Sequence, residues 1–175
     1  MLHVKLNTKL ICSLGFIWLV GVVIRLGIFL TTEYYADGGE SVVGLMARDI
    51  LHGKNYPILL YGHGFEGGGA LMAYLTAPFL WLFGVSSFSI KLFSFVIYSL
   101  TFWVGSLWIR NHFNNLTCLL FAAILSIAPP LYAIWSLRVY GTHDIIFLLI
   151  FCILWIHWEI IYHDKNTLKW YVGFG

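Results

Sequence analysis

Charge is scarce in this chain. Its 175 residues include eight acidic and ten basic side chains, 10% in all, while 60% are hydrophobic and 18% aromatic. A soluble core of this size has no use for so much apolar surface, and the mean hydropathy of +0.84 points to an integral membrane protein. A net charge of +2, with the cations scattered singly, offers no basic face to a nucleic acid. Cysteine is also rare. Cys12, Cys118 and Cys152 each fall in an apolar run without paired spacing, which argues against a disulfide framework or a zinc site. Internal repeats, low-complexity tracts and nucleotide-binding glycine patterns are missing too. Gly67-Gly68-Gly69 has neither the lysine nor the strand context of a phosphate loop.

What remains is a series of apolar runs. Leu10 to Leu30 is long enough to cross a bilayer, follows Lys5 and Lys9, and has no cleavage site after it, so it reads as a retained span with a cytoplasmic N-terminus. Arg25 interrupts that run near its outer end, where snorkelling toward the headgroups is expected. Further apolar segments cover Gly69 to Gly84, Ser87 to Ile109, Leu116 to Ser136 and Thr142 to Tyr162. Gly69 to Gly84 is short and holds Pro78. If it lies along or re-enters the outer surface, Lys5, Lys9, Arg110, Lys165 and Lys169 fall inside, against four basic residues outside. The expected fold is therefore all-α, a polytopic membrane helix bundle of four spans in the cytoplasmic membrane. The chain closes on the apolar Trp170 to Gly175, which reads as the opening of another segment and suggests a truncated product over residues 1–175.

Five of the eight acidic residues gather between Thr31 and Gly69: Glu33, Asp37, Glu40, Asp49 and Glu66. Within this stretch Val43, Met46, Ala47 and Ile50 keep helical spacing, with Gly53 as a stop and Pro57 soon after. This predicts an amphipathic surface helix in the first extracytoplasmic loop. Asp37 and Glu40, three apart at its start, support two readings. One carboxylate can take a proton from a hydroxyl while the other positions a substrate or metal. The same spacing is that of a helix-capping box. His63 and Glu66 are candidate ligands for a divalent metal, against the commoner reading of solvated loop residues. Lys91, Arg138, His143 and Asp144 lie at span ends, on the same side as Asp37 and Glu40 in the preferred topology. Cations there can meet a lipid phosphate or simply anchor at the interface. Asp144 is the costlier residue to place near hydrocarbon, which favours a functional role.

The run Asp37-Gly-Gly-Glu40-Ser-Val-Val-Gly-Leu-Met-Ala-Arg48, followed by His52-Gly53-Lys54, Tyr61-Gly62 and Ala73-Tyr74-Leu75, resembles the membrane-embedded GT-C glycosyltransferases of the protein-mannosyltransferase-like group. The resemblance covers most of the chain but only the N-terminal part of that fold. It implies a polyprenyl-phosphate sugar donor, a membrane lipid environment, and transfer to an acceptor hydroxyl on the outer face by inverting displacement. It further implies Asp37 as the catalytic acidic residue with Glu40 beside it, and Lys91 and Arg138 as cations for the donor phosphate. Asp144, His143 and Arg48 would then contact substrate. Met72 stands where relatives often carry an acidic residue before Ala-Tyr-Leu, which leaves Glu66 as its substitute in donor or metal coordination. The rival readings are a non-enzymatic membrane subunit, a transporter fragment or an inactive remnant. Transporters place charges near the middle of spans, whereas these acids cluster in a loop.

Overall fold

A computed structural model describes residues 8–31, 36–62, 67–139 and 143–162, with the side chains of Gly67, Gly68, His143, Asp144 and Tyr162 excluded. The described residues form helices and connecting turns, with no strand among them. In chain order the helices are α1 (Thr8–Thr31), α2 (Gly38–Leu51), α3 (Gly67–Phe83), α4 (Ser87–His112), α5 (Asn115–Ser126), α6 (Pro130–Trp135) and α7 (His143–Tyr162). This is the expected all-α membrane bundle. α1 and α4 are long and apolar enough to cross a membrane. α1 turns Phe16, Leu19, Val23 and Leu30 outward, with Phe16 67% exposed. A soluble protein would not leave such a stripe to water.

α4 is central, packing on α3, α5 and α7, while α1 packs mainly on α5 and α2 mainly on α3. The apolar side of α2 is covered by protein. Val43, Met46 and Ala47 are fully buried against Ala70, Met72, Ala73 and Ala77 of α3. α2 stops where the sequence signals it: Gly53 takes φ +63° and its N–H donates to Ile50 O.

Two expectations are corrected. The run Leu116 to Ser136 is not one helix. α5 ends at Ser126 and α6 starts at Pro130, because Pro129 and Pro130 lack the N–H groups to continue the ladder and their rings obstruct the preceding turn. α5 alone, at 12 residues, is about 18 Å long against a hydrocarbon thickness of about 30 Å. The second correction concerns Arg25, which does not snorkel. Its side chain is fully buried and donates from Nη2 to Leu125 O (3.1 Å), from Nη1 to Ser126 O (3.3 Å) and Gly21 O (3.2 Å), and from Nε to Ser136 Oγ (2.8 Å).

The two corrections share one cause. Breaking a helix within an apolar bundle frees carbonyls that lipid cannot satisfy, and Arg25 supplies donors to the last carbonyls of α5, where the helix dipole also favours a cation. A charge at the centre of a span costs about 2.5–3.5 kcal/mol on insertion scales. Hydrogen bonds to charged groups return roughly 1.5–3 kcal/mol each, so several can offset the penalty. Tyr98 adds its ring face, 3.6 Å from the guanidinium carbon. Gly21 makes room for this arrangement: a Cβ there would lie 2.1 Å from Tyr98 Oη and 2.9 Å from Ser126 Oγ.

Candidate functional site

The end of α6, the start of α4 and the N-terminus of α2 meet in one cluster of charge. Its framework is Glu40. This carboxylate is 1% exposed and receives Lys91 Nζ on both oxygens, at 2.7 Å and 2.6 Å, the N–H of Val139 at 3.2 Å and the N–H of Asp37 at 3.2 Å. Lys91 completes its set with Leu137 O at 3.2 Å. An ammonium has three hydrogens to donate, and these contacts occupy all of them. Lys91 and Glu40 therefore clamp α2, α4 and the segment 137–139 together.

Asp37 and Arg138 form a second and different pair. Asp37 Oδ1 accepts the N–H of Glu40 at 2.9 Å, which with Glu40's return bond completes a capping box on α2. Its other oxygen, Oδ2, accepts from Arg138 Nη2. These side chains are partly open, 31% and 40% exposed. An exposed ion pair contributes only about 0–1 kcal/mol, so this pair can open, whereas removing one partner of the buried pair costs about 3–5 kcal/mol. The cluster thus has a fixed half and a movable half.

The structure brings Asp37, Glu40, Lys91 and Arg138 together. Arg48 stands apart, 11 residues along α2, and bonds Asp49 Oδ1 at 3.2 Å. It lines a cleft of about 270 Å³ with Ser41, Gly44, Ser86, Ser87 and Ile90. α7 begins at His143, four residues beyond Val139, but the side chains of His143 and Asp144 lie outside the described residues, as do His63 and Glu66. Met72 is core, 3% exposed, and offers no ligand. Among the described residues no three His, Cys, Asp or Glu side chains are grouped as a metal site requires. The carboxylates of Asp37 and Glu40 are instead matched to Arg138 and Lys91.

Sequence reasoning missed Ser136, the backbone of 137–139 and the inward role of Arg25. A lone arginine inside an apolar run, together with Pro129-Pro130 in another, was the available signal for Arg25. Backbone groups such as Leu137 O and Val139 N–H carry no sequence signature.

A helix bundle with outward apolar stripes and a polar, ion-paired cluster at one end is the architecture of a membrane protein. The chain belongs to the dolichyl-phosphate-mannose-protein mannosyltransferase family, whose model matches residues 69–175. It is thereby placed among membrane glycosyltransferases. The match takes in Lys91 and Arg138 and begins after Asp37 and Glu40, which are joined to it by the two ion pairs. Comparison with curated proteins and with solved structures gives no match.

Proposed function

We propose that this chain carries a site for transfer of a sugar from a polyprenyl-phosphate donor to an acceptor hydroxyl at the outer face of the membrane. The observation that carries the reading is the open Asp37–Arg138 pair held on a buried Glu40–Lys91 base. Donor phosphate competes with Asp37 for Arg138. As the guanidinium turns to the phosphate, Asp37 is released to act as general base. The acceptor oxygen, losing its proton to Asp37, attacks the anomeric carbon. The bond to the phosphate oxygen breaks on the opposite side, and Arg138 meets the charge on the leaving polyprenyl phosphate. Glu40 and Lys91 hold the frame rather than touch the reactants. The prenyl chain stays in the bilayer, and an apolar groove of about 380 Å³ between α1 and α4, lined by Trp18, Val22, Phe29, Phe95 and Trp103, is open to it. Arg48, in its serine-lined cleft, is assigned with His143 and Asp144 to substrate contact, on the family resemblance.

The test is the stereochemistry of transfer from dolichyl-phosphate mannose by the reconstituted chain. Inversion at the anomeric carbon, read by NMR of the product, is expected; a retained configuration would exclude direct displacement. The capping box favours a second reading, a non-enzymatic membrane subunit in which Asp37 and Glu40 only start α2. Unaltered farnesyl phosphate binding in both Asp37→Asn and Arg138→Gln would favour it.

A further inference from the structure

We propose that Arg25 is a positioning residue for Arg138, acting through Ser136; this rests on the reading of Arg138 as the cation that meets the donor phosphate. Ser136 ends α6. Its N–H donates to Tyr132 O at 2.8 Å, its hydroxyl donates to Ala133 O at 2.9 Å, and the same oxygen accepts Arg25 Nε at 2.8 Å. Two residues later Arg138 reaches Asp37. The backbone between them is held on its other side by the buried pair, with Leu137 O on Lys91 and Val139 N–H on Glu40. Arg138 is thus a partly exposed side chain on a backbone fixed from two directions by buried charges. Arg25 fixes one of them.

The chemistry of the guanidinium suits this task. Its planar fork aims Nε at Ser136 while Nη1 and Nη2 hold Ser126 O and Leu125 O, so the end of α5 and the end of α6 are set by one rigid group. An ammonium is a point charge without that fork. A fully buried charge inside an apolar helix is costly, and here it is met by acceptors from both α5 and the end of α6. A buried Arg25 needs an acceptor for each N–H, and Ser136 is the one that meets Nε. That same bond ties the guanidinium to the segment that carries Arg138, two residues on.

The two roles separate in Ser136→Ala, which removes the link to Arg138 and leaves Arg25 on α5. Farnesyl phosphate is titrated into the full chain in lipid nanodiscs, alongside thermal unfolding and amide exchange over residues 137–139. Ser136→Ala is expected to weaken farnesyl phosphate binding about fivefold to tenfold and to speed exchange at Val139, with a lowered thermal midpoint but a still cooperative transition, because the buried Arg25 Nε–H loses its acceptor. Arg25→Lys, which keeps the charge but not the fork, is expected to weaken binding and speed exchange in the same direction, with a larger fall in the thermal midpoint because the α5 carbonyls lose donors as well. Parent-like binding and exchange in Ser136→Ala, beside an unfolded Arg25→Gln, would overturn the proposal and leave Arg25 a structural clamp. Arg138→Gln runs in parallel. If it binds farnesyl phosphate as the parent does, the reading of Arg138 has failed, while exchange at Val139 still decides whether Ser136 transmits the position of Arg25.

Discussion

Each ionised residue of the cluster answers a different physical demand. Glu40 and Lys91 are almost fully removed from solvent, and such a pair is tolerable only because every donor and acceptor is met. Lys91→Met should therefore lower unfolding stability by about 3–5 kcal/mol, measured by denaturant titration in micelles, since it strands a buried carboxylate. Adding Glu40→Gln should recover much of that loss. An equal or larger loss in the double variant would mean that the charges are not what the fold depends on. The sequence singled out both residues but gave them separate tasks, one as a neighbour of the catalytic acid and the other as a phosphate cation. Their mutual contact was hidden because 51 positions separate them and nothing in the spacing records it. Asp37 and Glu40 were more legible, because a capping box is a local pattern and survives any tertiary context.

Among the elements, α1, α4 and α7 follow the apolar runs closely, since unbroken hydrophobicity of span length leaves a chain few alternatives in lipid. The run from Leu116 did not. Hydropathy passes smoothly through Ala128-Pro129-Pro130, so a reading by apolar content alone joins α5 to α6, and only the backbone chemistry of proline separates them. The depth of Arg25 was legible, but its direction was not, because the acceptors it turns to are carbonyls exposed by that same break. The approach of α1 to α4 and α5 at this point depends on Gly21. Gly21→Ala should destabilise the bundle by about 1–3 kcal/mol, because the added methyl meets the rigid end of the Tyr98 ring. Thermal unfolding checks this, with Gly15→Ala as the control at a position whose Cβ meets nothing within 4 Å. Equal midpoints for the two variants would contradict the packing described.

At the scale of the whole molecule, the proposal needs the Asp37 end of the bundle to face outward and the far end of α4 to face inward. In a background where Cys12, Cys118 and Cys152 are alanine, a membrane-impermeant maleimide added to intact cells should label Lys54→Cys at once. Phe113→Cys should react only after permeabilisation. Labelling of both, or the reverse order, would contradict the topology. Family membership fixes the class of protein but not the role of Asp37, which lies before the matched region. The most direct measurement is sugar transfer from dolichyl-phosphate mannose by Asp37→Asn, paired with its thermal midpoint. Asparagine caps a helix as well as aspartate does but is no base. The account predicts a fall in turnover of about 10²–10⁴-fold with the midpoint unchanged; turnover equal to the parent at the same midpoint would contradict it.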